Sequence, residues 1–217
     1  MDLQLTDVSL RSIAVSEMSN NVYLLTSATT GRQVIIDAAD DVEAIEALVE
    51  AGAKDGPAGA AHVTDVLTTH RHWDHVRALK PIAERYDART VAGANDAEAI
   101  TEESGQPIDH PVAHGETLSF DGFSLEVIEL RGHTPGSVAY VLRDSGGEVV
   151  IFSGDSLFPG GPGKTWSSED FASLMDDLEE RIFDVFDDAV HVLSGHGDPT
   201  TLGAERPQIP EWRARGW

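Results

Sequence analysis

Three of the chain's nine histidines fall inside six residues, His70-Arg71-His72-Trp73-Asp74-His75. His70, His72, Asp74 and His75 are four potential metal donors on one short turn, able to face a common point while Arg71 and Trp73 project elsewhere. Imidazole with carboxylate suits zinc, then iron, then manganese. Three further positions repeat one pattern, in which an apolar run ends, a glycine follows and a donor comes next. Gly132 precedes His133, Gly154 precedes Asp155, and Gly195 precedes His196. Glycine lets backbone approach closely, and strand ends gather on one rim of a sheet. Each of these three signals is weak alone. A polar loop with incidental histidines is the plain alternative for the cluster, but a strand end rarely collects so many imidazoles without a ligand. Two cations about 3.5–4 Å apart can hold a hydroxide between them and need roughly six or seven protein ligands. Seven candidates stand here. A carboxylate can bridge two ions and a neutral imidazole cannot; of the three later positions only Asp155 can do so.

The elements that must position these residues follow from periodicity. Residues 20–26 and 32–38 predict a hairpin with Gly31 near its turn, and Val42, Ile45, Leu48 and Val49 share one helical face capped by Asp40 or Asp41. A loop over 53–60 and a strand over 62–69 lead directly into His70. The spacing predicts a helix over 76–86, with Pro81 tolerable only near its start or at a kink, a strand at 89–93, and a brief helix from Asn95 as cap. A hairpin over 115–130 turns at Asp121-Gly122, the type I′ pair, and a second pair of strands flanks 145–147. Residues 167–186 read as one amphipathic helix with Phe171, Leu174, Leu178, Ile182 and Val185 as its stripe, and 189–198 as the last strand. Hairpin groups with helices between them fit two mixed sheets better than one doubly wound parallel sheet.

The series His-x-His-x-Asp-His (70–75), Gly-His-Thr-Pro-Gly-Ser (132–137), Ser-Gly-Asp (153–155) and Ser-Gly-His-Gly (194–197) resembles the metallo-β-lactamase superfamily. Within it the chain is similar to the glyoxalase II-like (hydroxyacylglutathione hydrolase-like) metallo-hydrolases, from Asn21 to about Trp212. The resemblance implies an α/β fold, an αββα sandwich of two mixed β-sheets flanked by helices. It gives His70, His72 and His133 to a first metal and Asp74, His75 and His196 to a second, with Asp155 bridging and Asp74 and Asp155 as the catalytic carboxylates. The best-known β-lactamase subgroup carries Cys where Asp155 stands, and nuclease members usually add a long domain and a basic surface. Glyoxalase II enzymes append a helical domain after the last metal histidine; 21 residues follow His196 here, so an open mouth is expected. Lys164 matches the position that contacts the carboxylate of the thiol cofactor, although a solvated surface lysine is an equally simple reading.

Charge and composition narrow the partners. Fifteen Lys+Arg against 38 Asp+Glu give −23, which repels phosphate backbones and anionic lipid heads, so neither nucleic acid nor membrane is expected. Cysteine is absent, which removes disulfides, thiolate sites and a cysteine nucleophile. No basic-then-apolar leader and no long apolar run occurs, so a cytoplasmic chain with one domain over 1–217 is expected. The leading function is a metal-dependent hydrolase with two divalent ions, zinc first and iron or manganese next, cleaving a small acyl-thiol or ester. The runner-up is a mononuclear-iron persulfide dioxygenase, and a non-enzymatic binding relative comes last because no ligand position is lost. His191 reads as structural, and His62, His110 and His114 as surface or capping groups. Trp73 is expected to pack beneath the site, and Asn20-Asn21 either to brace its rim or to form a turn.

Overall fold

A computed structural model describes residues 2–59 and 61–216. Alternation along the strands decides the layers. In β4 (Arg32–Ile36), Val34 and Ile36 point one way and Ile35 the other, and in β5 (His62–Thr68) Leu67 and Val66 divide likewise. With both faces apolar, each sheet must be covered on both sides.

The first sheet runs β1 (Asp2–Gln4), β2 (Val8–Val15), β3 (Asn20–Ser27), β4, β5, β6 (Arg89–Gly93) and β7 (His110–Val112) in chain order, antiparallel to β4 and parallel beyond. The second contains β8 (Thr117–Phe120), β9 (Phe123–Glu129), β10 (Val138–Arg143) and β11 (Val149–Gly154), then β14 (His191–Ser194) and β15 (Thr200–Thr201) beyond β11. Between β11 and β14 in sequence lies a small ribbon of β12 (Leu157–Phe158) and β13 (Gly161–Pro162). The β11–β14 pairing is parallel and the rest of that sheet antiparallel, so both sheets are mixed. Leu25, Ile36, Leu67, Tyr140 and Phe152 fill the space between the sheets. Helices α1 (Val42–Gly52), α2 (Leu79–Tyr86) and α3 (Ala97–Ser104) lie on the first sheet, with α1 and α2 covering its outer face. Helices α4 (Ser168–Leu178), α5 (Leu202–Glu205) and α6 (Ile209–Arg215) follow, and Leu174, Leu178, Leu202 and Trp212 cover the outer face of the second sheet. The result is the expected αββα sandwich.

Several local expectations need correction. The helix predicted over 76–86 begins at Leu79, after a 3-10 turn at Trp73–His75; Pro81 sits in its first turn, where a missing N–H costs little. Asn95 does not cap α3. Asp96 occupies the cap position, and its carboxylate bonds to distant segments instead of its own helix. The Asp121-Gly122 turn is not type I′, because only Gly122 has positive φ (102°) while that type needs it at both positions. A Cβ on Gly122 would lie 2.4 Å from Ser27 Oγ, so contact with the first hairpin sets that turn. The strand expected over 189–198 ends at Ser194, and β1, β2, β7, β12, β13 and β15 have no counterpart in the sequence reading. Residues 53–59 are turns as expected; Ala60, the end of that expected loop, lies outside the described residues.

The 167–186 helix is broken. Ser167 caps it, accepting from Asp170 N at 3.0 Å, but after Leu178 a π-turn spans Glu179–Phe183, with Asp184 N donating to Glu179 O five residues back. One extra residue per turn rotates everything beyond it. Val185 therefore leaves the stripe and is 60% exposed, while Phe186 takes the buried place. Phe186→Ala should cost about 3 kcal/mol and Val185→Ala less than about 0.5 kcal/mol in denaturant unfolding. The reverse ranking would contradict the turn.

Candidate metal centre

The rim where strands of both sheets end collects all seven predicted donors, and they fall into two groups. His70, His72, His133 and Asp155 bring one donor atom each within 4.8 Å of one another, and so do Asp74, His75 and His196. Asp155 also adjoins the second group: its Oδ1 is 3.4 Å from His75 Nε2 and its Oδ2 3.5 Å from His196 Nε2. Its Oδ2 lies 3.6 Å from His133 Nε2 and 4.0 Å from His70 Nε2. Asp74 Oδ2 stands 3.2 Å from His196 Nε2 and 3.6 Å from His75 Nε2.

The outer nitrogen of four rings is held by an acceptor. His133 Nδ1 donates to Lys164 O at 2.7 Å and His196 Nδ1 to Met18 O at 2.9 Å. His75 Nδ1 donates to Asp37 Oδ2 at 2.9 Å. Thr69 Oγ1 gives its hydrogen to Asp37 Oδ2 at 2.7 Å and so accepts from His70 Nδ1 at 3.0 Å. A proton fixed outside leaves a lone pair inside, where a metal would take it. The inner nitrogens are crowded: His72 Nδ1 is 3.1 Å from His70 Nε2 and 2.9 Å from His133 Nε2, and the Nε2 atoms of His75 and His196 are 3.2 Å apart. A tetrahedral ion with bonds of about 2.0–2.1 Å keeps its ligands about 3.3 Å apart, which matches this spacing. Asp155 Oδ1 is buried with no hydrogen-bond partner in the protein, an orphan that a cation would satisfy. The donor set fits a pair of metal ions.

Asp37 was not legible as a site residue. It ends β4 in the left-handed region (φ 56°), which turns its carboxylate back toward β5, where it also accepts from Thr69 N at 2.7 Å. The run Ile35-Ile36-Asp37 carried the available signal, an apolar strand ending in an acid. Asn20 and Asn21 brace the rim: Asn20 Nδ2 donates to Asp74 Oδ2 at 2.8 Å, and Asn21 Nδ2 to Ser194 O and Gly197 O. Close approach explains Gly195, where a Cβ would lie 2.1 Å from Asp155 Oδ1. Gly132 is different: its Cβ would strike Asp170 O at 2.3 Å, so that glycine admits α4 and not the site.

Trp73 does not pack beneath the site. It is 47% exposed, with the Arg77 guanidinium 3.8 Å over its ring, because the 3-10 turn points Asp74 and His75 inward and leaves Trp73 outside. Lys164 is exposed, its ammonium 4.3 Å over the Trp166 ring, and it lines a cavity of about 400 Å³ together with Arg215. His110 pairs with Glu116, His114 Nδ1 accepts from Glu129 N, and His191 lies in β14.

The two halves differ in charge. Burial lowers His70, His133 and His72, the last to about 4, so these rings are neutral at pH 7. Burial opposes charge on His75 and His196 too, but Asp37 and Asp155 outweigh it for His75, and Asp155 and Asp74 for His196, raising each to about 10. Burial would raise Asp74 and Asp155, yet the imidazoles beside them (with Asn20 for Asp74) hold both well below the ordinary range. A metal entering the first half displaces no proton near neutrality. One entering the second must displace the proton that the neighbouring carboxylates favour on His75 and His196, so uptake there strengthens as pH rises. Calorimetric titration of the metal-free protein in buffers of different ionisation enthalpy should show proton release in one of two binding steps; equal release in both would contradict this assignment.

The sequence model described as the metallo-beta-lactamase superfamily matches residues 15–196. Hydroxyacylglutathione hydrolase GloC of Haemophilus influenzae is 32% identical over 161 residues, spanning 67% of this chain and 74% of its own. The crystal structure of ETHE1 from Myxococcus xanthus superposes with a TM-score of 0.76 at 27% identity, covering 93% of this chain and 83% of that one. The crystal structure of TTHA1623 in a di-iron-bound form gives 0.68 at 28% identity, covering 93% and 100%. Among the described residues, no helix is long and apolar enough to cross a membrane.

Proposed function

The chain belongs to the metallo-beta-lactamase superfamily as a glyoxalase II-like member, and from that premise we propose that it hydrolyses a small thioester or ester with two divalent metal ions. His70, His72 and His133 would hold one ion, Asp74, His75 and His196 the other, and Asp155 both. The observation that carries this reading is Asp155, one carboxylate placed between two groups of inward-facing imidazoles with an oxygen left unpaired. Ions held there would supply a water acidified to near neutrality and Lewis-acid polarisation of the scissile carbonyl. The protein's part is positional. Asp37 and the carbonyls of Lys164 and Met18 keep proton-bearing nitrogens outside, Asn20 holds Asp74, and no cysteine exists to act as nucleophile. Zinc suits this donor set first, and iron is the next choice, the metal of the di-iron relative.

Lys164 and Arg215 face one cavity in a chain of net charge −23, a local positive spot suited to a carboxylate on the thiol half of the substrate. The test joins elemental analysis of anaerobically purified protein to hydrolysis of thioesters of one carboxylate-bearing and one neutral thiol. Two metals per chain and turnover of these thioesters are expected. Lys164→Ala should raise KM for the carboxylate-bearing thiol about three- to tenfold with kcat nearly unchanged, and affect the neutral one less. Equal effects on both, or none, would make Lys164 a surface residue only. Absence of turnover with the metals bound would refute the hydrolase. The second reading, a mononuclear-iron persulfide dioxygenase, is favoured by one observation: the three imidazoles of the first group are already neutral and, with the Asp155 carboxylate, make a full donor set for one ion. One iron per chain, confined to that group, would select it.

A further inference from the structure

Beside His72 a groove of about 510 Å³ opens, lined by Arg71, Trp73, Trp166, Glu102 and Glu103. Its size is that of a small-molecule site. Both tryptophans are exposed, Trp73 at 47% and Trp166 at 58%, and they are the exposed aromatics among the described residues. Each ring has a cation over one face, Arg77 at 3.8 Å and Lys164 at 4.3 Å. A cation on one face fixes the ring and leaves the other for a ligand, which reduces the ordering cost of binding. The charges in the groove are unequal. Glu102 and Glu103 project from α3 into solvent, while the Arg71 guanidinium leans toward buried Asp96, 3.9 Å away. Two fixed indoles with carboxylates at their margin attract flat apolar groups and repel anions.

We propose that this groove is the acyl pocket and that it takes a planar apolar acyl group, with acyl chains ending in a carboxylate excluded. The assignment rests on the thioesterase reading, which sends the carboxylate of the thiol to the Lys164–Arg215 cavity and leaves this groove, adjoining His72, for the other half. Trp166 and Trp73 are then specificity-determining residues, and Glu102 and Glu103 reject dicarboxylic acyl groups.

The experiment compares acetyl, phenylacetyl and succinyl thioesters of one thiol on the metal-loaded protein, and measures calorimetrically the binding of an uncleavable phenethyl thioether of that thiol. Phenylacetyl should be preferred and succinyl disfavoured. In Trp166→Ala and Trp73→Ala the phenylacetyl-to-acetyl ratio of kcat/KM should fall about fivefold, and thioether affinity by a similar factor, the size expected for an aromatic pair. Trp166→Phe should retain most of both. Replacing Glu102 and Glu103 together by Gln should bring succinyl closer to acetyl. The proposal is overturned if the ratio and the thioether affinity are unmoved in both alanine variants, or if succinyl is the preferred acyl group. If the thioether binds and weakens in these variants while no thioester is cleaved, the aryl groove stands and the hydrolase reading falls.

Discussion

Asp155→Ala is expected to lower kcat/KM by about 10³-fold or more and to reduce bound metal from two ions per chain to one or none, a larger loss than any single histidine gives. Each histidine belongs to one group of donors, whereas Asp155 has an oxygen within 3.4–4.0 Å of His70, His75, His133 and His196. A vacated histidine position can be filled by water. On the two-metal reading, removal of Asp155 would take away the carboxylate shared by both ions and leave two cations facing each other less screened. Lewis-acid assistance contributes several kcal/mol, and about 1.4 kcal/mol is a factor of ten, so loss of the pair reaches three powers of ten. Asp155→Asn separates charge from shape, because it fills the same space with one neutral oxygen. Metal analysis alongside kcat/KM decides the matter. Two ions retained with activity within tenfold of the parent would remove Asp155 from the bridging position.

Asp96→Ala is expected to lower the stability by about 4 kcal/mol, equivalent to roughly 10 °C in Tm, and to weaken metal binding in the first group 10–100-fold. Asp96 is completely buried and is not one of the seven donors. Its Oδ2 accepts from Arg71 N at 3.0 Å and from the Thr134 hydroxyl, and its Oδ1 from Gly136 N at 2.9 Å. One carboxylate thus ties the loop bearing His70 and His72 to the loop bearing His133. Deleting it leaves three donors without their acceptor and frees both loops. Asp96→Asn should cost less, since one amide oxygen can keep the Arg71 and Thr134 bonds while its NH₂ opposes Gly136 N. Thermal unfolding of the metal-free and metal-loaded forms separates the two effects. A Tm change with unaltered metal affinity would limit Asp96 to folding.

The composition of the metal centre was legible because ligand chemistry is a property of residue type and local spacing. Imidazoles at 70, 72 and 75 with a carboxylate at 74 require only a tight turn, and apolar runs ending in Gly-His or Gly-Asp place the rest at strand ends. Hairpin groups with helices between them likewise point to two mixed sheets. Tertiary structure decided what depends on partners far along the chain. Asp37 is an ordinary strand-end acid until the segment after β5 brings Thr69 and His75 against it, and Asp96 is an unremarked acid beside the expected cap Asn95 until Arg71, Thr134 and Gly136 claim its oxygens. The π-turn at Glu179–Phe183 shows the limit of periodicity: one inserted residue exchanges Val185 for Phe186 without any mark in the hydrophobic pattern that precedes it. Trp73 shows the limit of local chemistry. An indole between two ligands can face core or solvent, and only the backbone of the 3-10 turn, with Asp74 and His75 turned inward, sends it out to the groove. Residue type sets which bonds are available, but burial and long-range pairing determine which are made.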